Sequence, residues 1–343
     1  MLRVTSNGLY CEAGDFYIDP WGPVDRAIIT HAHSDHAQAG CGSYLCSEDC
    51  AGVLRSRLGS DAVIQTAGWG AALSFPGVTC SLHPAGHILG SAQVRVEHHG
   101  EVWVASGDYK LEPDPTCRAF EPVRCHTFIT ESTFGLPIYR WRPQSETFDG
   151  INAWWRENQD NGKASALFAY SLGKAQRLLA GIDPGIGPIL CHGAVENLNR
   201  VYRKCGVALP PTQYAGETFK GFDWSRALIL APPSANGSPY LRRFGPVSTG
   251  FASGWMRIRG TRRRRSIDRG FVMSDHADWP GLLSAIDATG AECVLVTHGY
   301  RTPLVRWLME HGLEAKALET RFEGERDESG DIENVVDALA ESE

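Results

Sequence analysis

The run Thr30-His31-Ala32-His33-Ser34-Asp35-His36 constrains this chain more than any other segment. Three imidazoles and one carboxylate fall within six residues, directly behind the apolar stretch Ala27–Thr30, which reads as a short strand. Polar groups buried without partners cost roughly 2–7 kcal/mol each, so a fold that shelters this run must use it. Imidazole nitrogen and carboxylate oxygen together suit zinc or manganese. A strand end followed by a tight loop can aim alternate side chains at two separate ions.

The surrounding pattern predicts an α/β protein. Up to about Pro143 the chain reads as short strands joined by Gly/Pro turns. Gln93–Val96 and Val102–Ser106 form a predicted hairpin around His99-Gly100, and Thr127–Thr130 a buried strand. From Ser145 the period lengthens. Helices are expected over 145–161, capped by Ser145, and over 174–181 and 194–204. They alternate with strands at 164–169, 189–190 and 227–230, as in a parallel sheet flanked by helices. After Gly270 come a strand at 271–273, helices at 280–288 and 303–311, and a strand at 293–296. The expected organisation is a first domain at 1–143, an insert at 144–262, a return to the first domain at 263–320 and an acidic tail at 321–343.

Composition narrows the classes. No segment approaches the roughly 20 apolar residues of a membrane span. Met1–Pro20 lacks the basic-then-apolar pattern of a secretion signal, which points to the cytoplasm. The ten cysteines are scattered, and Cys41, Cys46 and Cys50 lack zinc-ribbon spacing, so free thiols are expected. A net charge of -7 excludes a globally basic nucleic-acid binder but leaves room for a local positive field. That field has two sources: Arg257, Arg259, Arg262, Arg263, Arg264, Arg265 and Arg269, and the helix start with Lys174 and Arg177 behind Gly173, suited to phosphate. Trp141, Trp154, Trp155 and Trp255 offer faces for base stacking, core packing being their commoner use.

Further polar residues stand behind predicted strands or glycine turns: His87 in Pro84–Ala92, Asp108 after Val102–Ser106, and His298 after Cys293–Val296. The order Asp19, His31-x-His33-x-Asp35-His36, His87, Asp108 resembles the metallo-β-lactamase superfamily. Glu131-Ser132-Thr133-Phe134-Gly135, Ser274-Asp275-His276-Ala277-Asp278 and Thr297-His298-Gly299 are similar to the three extra motifs of its β-CASP branch. The resemblance covers about residues 1 to 320 and implies an αββα sandwich carrying an inserted α/β β-CASP domain. It implies two divalent ions, zinc or manganese. His31, His33 and His87 would hold one, Asp35, His36 and His298 the other, with Asp108 bridging and Asp19 orienting a ligand histidine. A metal-activated hydroxide would attack phosphorus, with His276 as general acid oriented by Glu131.

Within the branch, the wording at Ser171–Arg177 and the chain length look like bacterial ligase-associated DNA exonucleases, which themselves resemble mRNA 3′-end processing factors. His298, in contrast, is the residue typical of the RNA enzymes. The reading leans to a DNA exonuclease of DNA repair acting on single-stranded DNA from a 5′ end. An RNA-processing nuclease is the alternative, and a small-molecule metallo-hydrolase is the rival of another class. A scaffold without activity is disfavoured, because every expected ligand is present. A DNA ligase or helicase partner is implied by resemblance alone.

Overall fold

A computed structural model describes residues 1–258 and 266–321. The chain is mixed α/β, with three sheets among the described residues. The first sheet takes six strands in chain order, from Leu2–Thr5 to Ile64–Ala67. The second has seven, ordered Glu314–Ala317, Cys293–Gly299, Thr127–Ser132, Glu101–Ala105, Ala92–His98, Val78–Pro84 and Leu73–Phe75. Phe16, Ile18 and Ile28 of the first share one buried cluster with Leu82, Val94, Val96 and Ile129 of the second. The opposite side of the second sheet is covered by helices Trp279–Thr289 and Arg301–Glu310. Helix Ala51–Leu58 covers the first sheet through Val53 and Leu54.

The third sheet is parallel throughout, ordered Gln213–Tyr214, Ile189–Cys191, Leu228–Ala231, Ala164–Phe168, Val247–Ala252 and Arg269–Phe271. Its inner strands Ala164–Phe168 and Leu228–Ala231 are buried at every residue. Such strands therefore read as continuous apolar runs rather than alternating ones. Helices Gln144–Asp160, Lys174–Gly181 and Gly193–Lys204 pack on one face through Trp154, Trp155, Leu178 and Val195.

Two expectations shift. The strand expected at 271–273 is Arg269–Phe271 and pairs with Val247–Ala252, so the third sheet runs past the expected break at 262. Ser145 does not cap its helix. Pro143 stands at the cap position, and the Glu112 carboxylate accepts the Gln144 N–H at 3.1 Å. A carboxylate from another part of the chain thus satisfies a helix-start donor.

Strands Thr127–Ser132 and Cys293–Gly299 are parallel neighbours, so the third sheet is spliced into the gap between two adjacent strands of the second. Gly299 closes this junction with φ +87°, and a Cβ there would lie 2.3 Å from the Ser132 carbonyl oxygen. Gly299→Ala is expected to destabilise the protein by about 1–3 kcal/mol from the strained dihedral alone, with the overlap adding to it. A thermal melt unchanged from wild type would contradict this.

Candidate metal centre

His31, His33, Asp35, His36, His87, Asp108 and His298 converge where strands of the first two sheets end. Ligand-capable atoms of His31, His33, His87 and Asp108 lie within 4.8 Å of one another, and so do those of His36, Asp108 and His298. Asp108 is common to both groups. Its Oδ1 is 3.0 Å from His298 Nε2. Its Oδ2 lies 3.5 Å from His31 Nε2, 3.6 Å from His36 Nε2 and 3.8 Å from His87 Nε2. Asp35 Oδ2 stands 3.6 Å from His36 Nε2.

Hydrogen bonds behind the histidines fix which nitrogen faces inward. Asp19, buried at φ +45°, accepts from the Thr30 N–H at 2.7 Å, from the Thr30 hydroxyl at 2.5 Å and from His36 Nδ1 at 2.7 Å. The Thr30 hydroxyl, having given its proton to Asp19, accepts from His31 Nδ1 at 3.0 Å. The device recurs at the far end of the chain. The Thr297 hydroxyl donates to the Thr130 carbonyl at 3.1 Å and accepts from His298 Nδ1 at 3.0 Å. His87 Nδ1 donates to the Asp275 carbonyl at 2.9 Å, and His33 Nε2 to the Leu172 carbonyl at 3.2 Å. All five rings thereby turn their other nitrogen toward the centre.

The donor set fits divalent cations. His33 Nδ1 and His87 Nε2, both left as lone-pair nitrogens, face each other at 3.1 Å. His31 Nε2 is buried without a hydrogen bond. Opposed lone pairs repel unless a cation stands between them. Burial, and then the charge on His36, hold His31 well below its ordinary pKa, and burial followed by His276 does the same for His87. Both rings are thus neutral, as ligation requires. Burial also opposes charge on His36, but Asp35, Asp108 and Asp19 outweigh it and raise its pKa to about 10. The same carboxylates would stabilise a metal ion in place of that proton.

His276 adjoins this cluster. Its Nδ1 meets Glu131 Oε2 at 2.9 Å, and Glu131 Oε1 accepts the Tyr109 N–H at 2.8 Å. Burial disfavours the imidazolium, yet Glu131 and Asp108 prevail and raise its pKa to about 9. Phe134, Tyr139 and Trp255 form an aromatic cluster with Trp141. Phe134 stands edge-on to His276, and Trp141 Nε1 donates to the His276 carbonyl at 3.0 Å.

The expected phosphate contacts fare differently. Lys174 and Arg177 are buried at 0% and 2% exposure and face interior carboxylates, Asp275 at 3.2 Å and Asp114 at 2.6 Å. They do not present charge to a ligand at the surface, because each is already neutralised inside. Arg257 is exposed, and Arg269 pairs with Glu157 at 3.7 Å. Arg259, Arg262, Arg263, Arg264 and Arg265 lie outside the described residues, as does the tail from 322. Trp154, Trp155 and Trp255 are core residues. Sequence reasoning gave no role to Thr30 or Thr297. Their signal was a threonine directly before a histidine at a strand end, present twice.

No family model matches the chain. It is 34% identical over 321 residues to a probable DNA ligase of Opitutus terrae, an alignment covering 91% of this chain and 30% of that protein. It is 28% identical over 133 residues to cleavage and polyadenylation specificity factor subunit 3 of Dictyostelium discoideum, covering 38% of this chain and 17% of that one. Endoribonuclease YSH1 of Yarrowia lipolytica is 29% identical over 122 residues, 35% of this chain and 14% of its own. The chain thus spans less than a third of these relatives. Among solved structures, a protein of unknown function from Enterococcus faecalis V583 matches with a TM-score of 0.57 at 11% identity, over 87% of this chain and 80% of that one. That likeness concerns the fold. No helix among the described residues is long and apolar enough to cross a membrane.

Proposed function

The chain belongs to the β-CASP branch of the metallo-β-lactamase superfamily, and from that premise we propose that it is a metal-dependent nuclease, most specifically a DNA exonuclease of DNA repair. The observation that carries the hydrolytic reading is Asp108, whose buried carboxylate is shared by both groups, with Oδ1 beside His298 and Oδ2 among His31, His36 and His87. The two mutually packed sheets and their outer helices are read as the αββα sandwich, with the parallel third sheet as the β-CASP insert. His31, His33 and His87 would hold one divalent ion and Asp35, His36 and His298 a second, Asp108 serving both and Asp19 orienting His36. When bound, such ions polarise a phosphoryl oxygen and activate water near neutral pH. His276 holds a proton on Nδ1 against Glu131, which leaves Nε2 to deliver one to the departing oxygen. Buried aromatic neighbours shield that proton from bulk water.

The DNA preference rests on the Opitutus terrae relative, a probable DNA ligase of which this chain matches a segment. A ligase requires intact, correctly terminated ends, and trimming single strands supplies them. The RNA reading keeps independent support from the endoribonuclease of Yarrowia lipolytica and the cleavage and polyadenylation factor of Dictyostelium discoideum, and from His298. Purified protein with zinc or manganese should shorten end-labelled single-stranded DNA stepwise, and preferentially from the 5′ end. Internal cuts confined to matched RNA would transfer the protein to RNA processing. Turnover of neither polymer by metal-loaded protein would leave the small-molecule hydrolase.

A further inference from the structure

The buried cations Lys174 and Arg177 have no place in the nuclease mechanism above, and their surroundings suggest a different role. Gly173, at φ +85°, starts their helix so close to the His87 loop that a Cβ would stand 2.1 Å from Ile88 Cγ2. From this short segment three contacts reach metal-centre histidines. The Leu172 carbonyl accepts from His33 Nε2. Lys174 Nζ holds the Asp275 carboxylate at 3.2 Å, and the carbonyl of that same Asp275 accepts from His87 Nδ1. Arg177 is anchored by Asp114 and donates to the carbonyls of Gly86 and His87 at 3.3 and 3.2 Å. Lys110 Nζ adds a 2.6 Å bond to the Ser274 carbonyl, fixing the turn from its other side.

The histidines therefore differ in what supports them: His31 is tied through Thr30 to the same Asp19 that holds His36, whereas His33 and His87 are not. His36 and His298 are oriented by Asp19 and Thr297, which belong to the first two sheets. His33 and His87 donate to the carbonyls of Leu172, just before the helix Lys174–Gly181, and of Asp275, whose carboxylate that helix holds through Lys174. On the ligand assignment proposed above, we propose that Lys174 and Arg177 are positioning residues for one ion only, the one held by His31, His33 and His87. Seating of the insert and filling of that site then stabilise each other, while the second site is indifferent to the insert. Linkage makes the effect reciprocal: an ion in that site tightens the insert, and a loosened insert releases the ion.

The test counts zinc per chain in the full protein across a chelator-buffered zinc series. Circular dichroism runs alongside to confirm folding. Wild type should take up two zinc ions. Lys174→Met and Arg177→Met should keep one at wild-type affinity and bind the other at least about tenfold more weakly, the scale typical of groups that orient metal ligands. Lys174→Met/Asp275→Asn removes the uncompensated charge but not the lost tie, so it should show the same deficit. Recovery of both zinc ions in that double variant would mean that only charge balance matters, and would overturn the proposal. Two unchanged affinities in the single variants would do so as well. A wild type that takes up no second zinc would instead refute the ligand assignment beneath it. Hydrogen exchange on unaltered protein gives an arm free of folding artefacts. Zinc in the first site should slow amide exchange over 173–181 about tenfold or more, and equal exchange with and without zinc would count against the linkage.

Discussion

Asp108→Ala is expected to abolish measurable nuclease activity and to reduce bound metal from two equivalents to one or fewer. The carboxylate is buried, and its oxygens lie 3.0–3.6 Å from His298, His31 and His36. Alanine would leave both ions without their shared anionic ligand and would juxtapose neutral rings in a water-poor site. Lewis-acid stabilisation is worth several kcal/mol, and each 1.4 kcal/mol is a factor of ten in rate, so a loss of about 10³-fold or more follows. The fold should survive, because Asp108 contributes nothing to the apolar clusters on either side of the second sheet. Elemental analysis and a single-turnover assay decide the matter. Full metal content with a rate within threefold of wild type would rule Asp108 out as the bridge.

His276→Ala is the second large effect, and its signature is different. Metal content should stay at two equivalents while kcat falls about 10²- to 10⁴-fold, the range for removing a positioned general acid. The pH dependence then separates acid catalysis from packing. Glu131 raises the His276 pKa, to about 9 against the opposing effect of burial, and the acid works only while protonated. kcat/KM should therefore fall as pH rises through the His276 pKa. Glu131→Gln removes the charge that supports the imidazolium, so the descending limb must move to lower pH. The stability contribution has the same sign in metal-free protein. It is fully present below the unfolded value of roughly 6.5 and disappears as pH rises through about 9. A Glu131→Gln profile superimposable on wild type would remove Glu131 from this role. A His276→Ala variant stripped of metal would reassign His276 to ligation.

Most of the candidate centre was legible because its residues follow a simple physical rule. Asp108 and His298 each lie at or just beyond the end of an apolar strand, where a side chain can face a cleft while its backbone remains paired in the sheet. The hairpin at His98–Glu101 was legible for a similar reason, since His99 at φ 51° followed by Gly100 marks a turn between alternating runs. Lys174 and Arg177 were misread because the cue was local. A glycine followed by basic residues at a helix start looks the same whether it faces phosphate or buried carboxylates. Their partners, Asp275 and Asp114, are both more than sixty residues away. The strand expected at 271–273 was displaced likewise, since the edge strand Arg269–Phe271 is three residues long and acquires its identity only by pairing. The relays through Thr30 and Thr297 depend on where one hydroxyl proton goes, which spacing does not encode.

The splice between Thr127–Ser132 and Cys293–Gly299 has a consequence in time as well as space. The chain emerges in order, so His31 through Asp108 exist long before His298, and the whole third sheet is completed in between. Until residue 299 is made, the second sheet lacks the neighbour of Thr127–Ser132, and both His276 and His298 are missing or unplaced. Such long-range parallel pairing forms slowly. A ribosome-bound or truncated chain can therefore hold part of the histidine cluster without the rest, and the candidate centre is completed only when the last central strand docks.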